Sequence, residues 1–368
     1  VFIDATGQVT VNGTITANAT STMDSSGSGG GIYIICHTFA GDGGNVRATS
    51  MSSANGGGGG GRIAVIYNAG AQAAIAKPRV IFSVAAAPAG GQNNADIGTL
   101  YFSDTVLLDE TWLPHTGRIL WGGSTWTVNS LTVTSGLIRL AQSNLQVSVS
   151  NDVLVSGSSA KLQLGGNTAM TNYDRNGNQM VYTSESEMPG YPAITIGGNL
   201  IITNGGSLTV YSGTTNATSN TGSLVRVAGS ILIYSNSWIY PHSQPYSGGS
   251  PVFKTTFLRI EPTANTNAGI DATGRGFRGG TPAHPAGWGP GCGGQDGAGG
   301  YGGRGGGISV PARGATYGDS NAPALPGSGG GGEAGAWWGA NGGGSIRIEA
   351  SDTVSMKGKM VADGGSTP

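Results

Sequence analysis

The sequence predicts an all-β protein, a right-handed parallel β-helix (β-solenoid) with glycine-rich loop insertions. Three observations predict it: short stretches in which apolar and polar residues alternate, recurrence of these stretches at a fixed spacing, and glycine at the junctions between them. Glycine accounts for 70 of the 368 residues, against an average usage of roughly 7%. Alternation over a few residues indicates strands, and repeats of about 20–50 residues indicate a stacked architecture.

The two ends of the chain carry the same pattern. Residues 1–23 align without gaps with residues 346–368, at a distance of 345 positions (346 − 1). Both segments read apolar-x-apolar-x-Ala, followed by apolar-x-apolar-x-Gly-x-apolar-x-Ala. A further copy begins at Ile32, 31 positions after Val1 (32 − 1). The period of two indicates strands, and the glycine and alanine positions suit tight corners.

The central region repeats the same spacing with larger apolar residues. Leu200 and Ile202 match Ile231 and Ile233, again 31 positions apart (231 − 200). One coil per repeat explains the pattern, because each coil presents an apolar row that only the next coil buries. We therefore expect one continuous solenoid. Its regions are N-terminal coils with glycine-rich loops over residues 1–90, central coils over 91–257, and C-terminal coils over 258–368 with a large insertion at 273–344.

The insertion at 273–344 is expected to be ordered, because a structureless loop of this length is uncommon inside a compact domain. Extended glycine chains approach one another closely, since no side chains separate their backbones. Trp288, Trp337 and Trp338 are expected to anchor the segment to the solenoid. These tryptophans and Tyr317 are also candidate contacts for surface glycans, and a loose arm is the alternative to an ordered segment.

The composition argues against two classes of partner. Charged residues make up 10% of the chain and the net charge is −1, so no positive field favours nucleic acid. The apolar runs of four to seven residues are too short to cross a membrane. We expect neither a nucleic-acid partner nor membrane insertion. Because Val1 to Ile3 already has a strand pattern, the chain is expected to start inside a fold, after processing or as part of a longer array.

No cofactor is predicted. Cys36 lies in an apolar run and is expected to be a buried thiol, while a disulfide with Cys292 stays open. One segment, Asp174 to Asn178, has side-chain oxygens spaced somewhat like those of a calcium loop, and Glu185 and Glu187 follow it. Calcium is therefore an alternative there, but an ordinary turn built on Asp, Asn and Gly is the favoured interpretation.

The best candidate for catalysis is a polar and aromatic cluster around Asp109 and Glu110, beside Trp112, His115 and Arg118. A β-helix that cleaves polysaccharides needs paired carboxylates and a basic residue. Acidic residues do not recur at one position of successive repeats, as a catalytic groove would favour. A solvated turn is the favoured interpretation of the cluster, and we predict no catalytic residues and no enzymatic activity.

The chain resembles the glycine-rich repeats of large bacterial surface proteins, the adhesin and autotransporter-like β-solenoids. The resemblance rests on Ile346-Arg-Ile-Glu-Ala350 with the repeat that follows it, on the segment from Ile270 to Gly307, and on the glycine run before Arg62-Ile-Ala-Val65. It covers about half of the chain. It implies a right-handed parallel β-helix on or outside the cell, with a structural or adhesive role. A β-helix that binds or cleaves polysaccharides is the alternative.

The matching ends predict head-to-tail association into a filament or surface layer. Solitary solenoids carry polar caps, whereas neither end of this sequence shows one. An uncapped end leaves a strand ladder and an apolar layer without a partner. A contact between two different ends does not close, so it builds a filament. The candidate interface residues are Val1, Ile3, Val9, Val11, Ile346, Ile348, Val354 and Met356.

Overall fold

The protein is nearly all β. A computed structural model describes residues 1–20, 26–52, 57–87, 95–142, 144–165, 171–173, 179–181, 192–214, 222–263 and 266–366. Strand accounts for 38% and helix for 3%, which confirms the prediction of a strand-and-loop protein with almost no helix. The strands form long parallel sheets, as a stacked solenoid requires.

The longest sheet, which we call sheet A, has eleven strands and receives one strand from each successive coil. Its strands come from all three predicted regions of the chain. In spatial order they are Phe2–Asp4, Gly31–Ile35, Arg62–Ile66, Thr99–Phe102, Gly117–Leu120, Leu137–Leu140, Lys161–Leu164, Ser207–Tyr211, Trp238–His242, Gly269–Asp271 and Lys359–Val361.

Two further sheets of six parallel strands complete the later coils. Sheet B consists of Thr125–Val128, Gln146–Val149, Ala193–Ile196, Ser223–Val227, Pro251–Thr255 and Arg347–Ala350. Sheet C consists of Leu131–Val133, Val153–Ser156, Leu200–Thr203, Ser230–Tyr234, Phe257–Glu261 and Val354–Met356. The chain thus runs through A, B and C and returns to A one level further along.

The first coils use smaller sheets in the corresponding places. A two-stranded sheet follows sheet A in sequence, and a three-stranded sheet follows that one. Their strands are Gln8–Thr10 and Thr38–Ala40 in the former, and Thr14–Thr16, Asp42–Arg47 and Arg79–Ser83 in the latter. One antiparallel pair, Thr171–Tyr173 with Gln179–Val181, lies within an excursion between sheets A and B.

The third coil replaces a strand by a short helix, Ala69–Ala73. Asn68 caps it, since its side-chain oxygen accepts a 2.9 Å hydrogen bond from the amide of Ala71. The buried side chain of Gln72 accepts from the amide of Phe39 (2.7 Å) and donates to its carbonyl oxygen (3.0 Å). It therefore satisfies the backbone groups that a further strand would have paired. A single 3₁₀ turn, Val310–Ala312, lies in the glycine-rich segment.

The core consists of apolar rows that continue from coil to coil. Leu200 pairs directly with Ile231, and Ile202 with Ile233, so the 31-residue spacing in the sequence is the length of one coil. The inward-facing side chains of sheet C are 0–1% exposed over five coils. Burial of this kind stabilises the stack by about 25 cal/mol for each Å² of apolar surface removed from water. The row comprises Leu131, Val153, Leu200, Ile231 and Leu258.

The glycine-rich segment at 273–344 is built from backbones that bond to one another. In residues 327–332, amides that are close in sequence donate to carbonyl oxygens of different neighbouring segments. The amides of Gly327 and Gly330 donate to carbonyls within 340–343, and the amide of Gly329 donates to Trp288. These stretches are therefore held by backbone hydrogen bonds to neighbouring stretches of the chain. Glycine backbones also approach one another closely here, since a Cβ on Gly342 would lie 1.9 Å from the carbonyl oxygen of Gly327, whereas the extended form of the chains stays a prediction.

Candidate functional site at the open ends of the solenoid

The C-terminal end exposes side chains that belong to the core. Val354 pairs with Leu258, and Met356 pairs with Ile260. Leu258 and Ile260 are 0% exposed, whereas Val354 is 51% and Met356 53% exposed. All four lie in inward-facing rows of sheet C, so the difference arises because no described coil covers the last pair. Val354 and Met356 are therefore core positions that lack a covering layer.

The N-terminal end has the same property. The amide of Tyr33 donates to the carbonyl oxygen of Val1 at 2.9 Å, which places Val1 beside Ile32. Ile32 is 2% exposed but Val1 is 56% exposed. Phe2, on the outer face, is 64% exposed and contacts the ring of Tyr33 with a centroid separation of 5.5 Å. The first coil thus presents one inward-facing and one outward-facing apolar side chain to solvent.

The other candidate interface residues are more protected. Ile3, Val9, Ile346 and Ile348 are half-buried and pack against the core from the two end coils. Val11 is only 5% exposed, so it contributes to the core rather than to an open surface. Sequence pattern alone gave all eight positions the same weight, because it shows which residues face inward but not how far a neighbouring corner shields each of them.

Backbone hydrogen-bonding groups are also open at both ends. Phe2–Asp4 and Lys359–Val361 are the two edge strands of sheet A, and each pairs with one strand only. Arg347–Ala350 and Val354–Met356 are likewise edge strands of sheets B and C. Edge strands with unpaired donors and acceptors are templates for pairing with another chain. The ends therefore combine an uncovered apolar layer with an unpaired ladder.

A charged cluster lies on the outer face of sheet B at the C-terminal end. Glu349 accepts hydrogen bonds from Lys254 and Arg347, each at 2.7 Å. These bonds, that to Lys254 above all, lower the pKa of Glu349. Arg226 lies on the neighbouring strand, directly paired with Lys254. Two cations therefore bond to one carboxylate at the edge of this sheet, and Arg226 lies one strand further from it.

Two of the candidate glycan-binding aromatics are brought together. The Arg278 guanidinium lies 5.6 Å from the ring centre of Trp288 and 5.7 Å from that of Trp338. Its Nη1 atom donates to the Tyr246 hydroxyl at 2.7 Å. Tyr246 precedes the glycine-rich segment, so this cluster ties the segment to the preceding coil. Trp337 is 71% exposed and does not act as a buried anchor.

The fourth aromatic, Tyr317, lies in a different cluster. Its ring packs against Tyr301 at 4.9 Å, and its hydroxyl donates to the backbone carbonyl of Pro326. Burial raises the pKa of both tyrosines. This pair braces the glycine-rich segment from within, and the four aromatics do not form one sugar-binding platform.

The cluster proposed around Asp109 and Glu110 is brought together only in part. His115 is 3% exposed, its Nδ1 accepts a 3.3 Å hydrogen bond from the amide of Phe82, and burial lowers its pKa to about 4. Asp109 caps a turn through Thr111, with bonds of 3.0 and 2.7 Å. Glu110 pairs with Lys77, and Arg118 lies in sheet A. Trp112 contacts the His115 ring edge-on, with 6.3 Å between the ring centres, so the fold brings part of the cluster together and directs Glu110 and Arg118 to other partners.

A polar network that the sequence did not reveal covers part of the outer face of sheet A. Arg139 is 8% exposed and bonds to Asp96 (3.1 Å) and Gln163 (2.6 Å). Arg118, paired in the sheet with Arg139, bonds to the same carboxylate at 3.0 Å. The sequence pattern places Arg118, Arg139 and Gln163 at outward positions of successive coils, and this pattern could have indicated that their side chains interact. Asp96 lies outside the strands, so no repeat pattern pointed to it.

The network continues around His242. Its Nε2 atom accepts a 2.9 Å hydrogen bond from Nε of Arg275, and Arg275 also pairs with Asp271 at 3.2 Å. Burial, reinforced by Arg275, lowers the pKa of His242 to about 3. The His242 ring packs 4.7 Å from Tyr211. These ion pairs form within the chain and pack the face of the sheet, although among the described residues the buried Nε atom of Arg118 has no hydrogen-bond partner.

Neither a metal site nor a disulfide is found in the described part of the chain. Cys36 is buried, as predicted, and Cys36 and Cys292 are both free thiols. Within the described ranges, no three His, Cys, Asp or Glu side chains lie close enough together to hold a metal ion. The calcium candidates Asp174 to Asn178, Glu185 and Glu187 lie outside the described residues. Among those that are described, no helix is long and apolar enough to cross a membrane.

Comparison of the chain with protein-family models, with curated proteins and with solved structures finds no match. The resemblance to bacterial surface solenoids therefore stays a prediction from the sequence. The open ends of the end coils are the most distinctive feature of the structure itself.

Proposed function

We propose that this chain is an extracellular structural or adhesive solenoid that stacks head to tail, each end coil being covered by a coil of another copy or of a neighbouring repeat. The observation that carries the proposal is the exposure of Val354 and Met356, at 51% and 53%, in rows whose other members are buried. A right-handed path of the coils accompanies the proposal, because crossovers between parallel strands are right-handed in about 98% of cases.

Exposure of these side chains has a cost that stacking removes. Covering a valine or methionine side chain fully contributes about 1.5–3 kcal/mol, and the unpaired strand edges gain hydrogen bonds at the same time. Few residues of the chain are charged, so little electrostatic repulsion opposes contact between the ends. A structural role needs no catalytic group, and Glu110 and Arg118 of the candidate cluster bond to different partners. The location outside the cell rests on the resemblance alone.

The test is the mass of the purified protein across a concentration series, measured by sedimentation velocity. We expect the average mass to rise with concentration for the wild type. The double variant Val354→Lys/Met356→Lys places two charges in the uncovered rows and is expected to stay a single chain. The control variant Ile308→Lys/Val310→Lys adds the same charges at exposed positions (86% and 67%) in the glycine-rich segment.

The control variant is expected to assemble like the wild type. A wild type that remains a single chain at every concentration would contradict the proposal. So would an equal loss of assembly in both variants, because the contact would then not depend on the end coil.

Glycan binding is a second candidate, favoured by the exposure of Trp337, at 71% beside the cluster of Trp338 and Arg278. A flat aromatic surface next to a cation is suited to sugar rings. If it binds them, a panel of oligosaccharides should quench tryptophan fluorescence in the wild type and in a Tyr101→Ala control. The Trp337→Ala variant should lose the response, and an unchanged response would exclude this residue as the contact.

A further inference from the structure

The two end segments that match in sequence lie on different sheets. Phe2–Asp4 belongs to sheet A, whereas its counterpart Arg347–Ala350 belongs to sheet B. The next strands shift in the same sense, so the counterpart of Thr14–Thr16 is Lys359–Val361, in sheet A. The final coil therefore repeats the strand sequence of the first coil but begins one sheet later, in sheet B instead of sheet A. We call this a turn by one face about the solenoid axis.

The order of inward-facing apolar residues is the same at the two ends only when sheet A of one end is placed over sheet B of the other. At the N-terminal end, three inward positions of one strand (Val1, Ile3 and Ala5) are followed after a short corner by Val9 and Val11 on the next. At the C-terminal end the same order begins in sheet B. There the inward positions are Ile346, Ile348 and Ala350, and then, after an equal corner, Val354 and Met356 in sheet C.

Docking without a turn, sheet A on sheet A, fits poorly. When the paired residues are followed from coil to coil along sheet A, the row that contains Val1 and Ile32 leads to Pro241. The same row continues over two further strands, through Ala272 to Ala362, which lies just beyond the last strand, Lys359–Val361. Ile3 would then lie over Gly364. The first strand would find neither an apolar row nor a strand edge for most of its length.

The glycine-rich corners also coincide in the turned arrangement. The corner after Ala17 contains glycines that pack on the next coil: a Cβ at Gly29 would lie 2.3 Å from the carbonyl oxygen of Ala48. The corner after Ala362 ends in Gly365, whose amide donates to Asn341 at 2.9 Å. Only the turned arrangement places the first corner over the second, so that the glycine layers continue.

We propose that a second copy of this chain docks its first strand, Phe2–Asp4, onto Arg347–Ala350 of sheet B, so that successive copies are rotated by one face about the solenoid axis. This rests on the proposed function and specifies its geometry. Phe2 of one copy lies beside Arg347 of the preceding copy. Neighbouring parallel strands are about 4.8 Å apart, a distance that a disulfide between paired residues bridges.

Cysteine cross-linking between separately purified single variants tests the geometry. All variants carry Cys292→Ser, which removes the less buried native thiol. Phe2→Cys is mixed under mild oxidation either with Arg347→Cys, the turned contact, or with Asp363→Cys, which is where Phe2 lies if sheet A docks on sheet A. We expect a disulfide-linked dimer on a non-reducing gel for the first mixture. The second mixture should give no more than each variant alone.

Equal or stronger cross-linking to Asp363→Cys would overturn the turned arrangement. Assembly in sedimentation without cross-linking in either mixture would overturn it too, and would leave head-to-tail assembly by another contact in place. Absence of assembly in sedimentation is a separate result, which would contradict the proposed function itself.

Discussion

Single glycines determine how closely the chains of the glycine-rich segment approach. A Cβ placed on Gly329 would lie 1.8 Å from the carbonyl oxygen of Arg278, and one on Gly342 would lie 1.9 Å from that of Gly327. Real Cβ atoms do not approach a carbonyl oxygen so closely, so these positions admit no side chain. Gly302, in contrast, has nothing within 4 Å of such an atom.

The variant Gly329→Ala is therefore expected to destabilise the protein by about 1–3 kcal/mol, the usual range for overpacking. The measurement is the free energy of unfolding from urea titrations followed by tryptophan fluorescence, which reports on Trp288 beside this glycine. Gly302→Ala is the control, and it should stay within about 0.5 kcal/mol of the wild type. Equal stability of the two variants would mean that the chains are not packed as described.

Two buried histidines make stability depend on pH. Burial lowers the pKa of His115 to about 4 and that of His242 to about 3. The unfolded chain binds their protons near pH 6.5, but the folded chain does not, so the unfolded state gains protons first as pH falls. The free energy of unfolding therefore has its full value above about pH 6.5, where both histidines are neutral in the unfolded chain too, and it decreases as the pH falls below that value.

Between pH 7 and pH 5, each of these histidines should lower the free energy of unfolding by about 2 kcal/mol. Urea titrations at the two pH values measure the loss. The variant His115→Gln removes one titrating group. Between pH 7 and pH 5 its free energy of unfolding should therefore decrease by about 2 kcal/mol less than that of the wild type, whatever the stability of the variant at pH 7. An unchanged pH dependence in the variant would show that His115 takes up a proton in the folded state.

At the scale of elements, the strands were predictable and the excursions were not. Alternation located strands such as Leu200–Thr203 and Ser230–Tyr234, because inward residues of a coil must be apolar to stack. The helix Ala69–Ala73 was missed, since its stability comes from Gln72 bonding to Phe39 in another coil. The network of Arg139 and Asp96 was missed for the same reason: the partners come from different coils.

The glycine-rich segment is an element in its own right, and proteolysis tests its order. Arg304 and Arg313 are exposed, whereas Arg278 is half-buried, with its amide bonded to Pro245 at 3.0 Å. Trypsin should therefore cut the native protein first after Arg304 and Arg313, and leave the bond after Arg278 intact. The protein unfolded in urea should be cut after all three, and this serves as the control.

Early cleavage after Arg278 in the native protein, at a rate similar to that after Arg304, would instead indicate a loosely attached arm. An ordered segment stays a prediction from the sequence, and of the three tryptophans expected to anchor it only Trp337 was given the wrong role. Trp288 packs with Arg278 at the root of the segment, while Trp337 is 71% exposed. Which of several aromatic residues is buried depends on how the extended chains are arranged, and a glycine-rich sequence does not encode that arrangement in a simple period.

At the scale of the whole molecule, the matching ends of the sequence predicted which residues lie in the terminal coils, but not on which sheet. Both segments have the same period, so the repeat alone does not show that Phe2–Asp4 joins sheet A and Arg347–Ala350 joins sheet B. That assignment depends on the lengths of the excursions between coils, above all the insertion at 273–344. The turned arrangement of successive copies follows from it.

Electron microscopy of the purified protein over a concentration series tests head-to-tail stacking most directly. Eleven strands in sheet A, spaced by about 4.8 Å, give one copy a length of roughly 50 Å along the solenoid axis. We predict unbranched rods whose lengths are multiples of this unit and grow with concentration, and single units for Val354→Lys/Met356→Lys. Isolated units of the wild type at every concentration, or assemblies joined along their sides, would contradict the account.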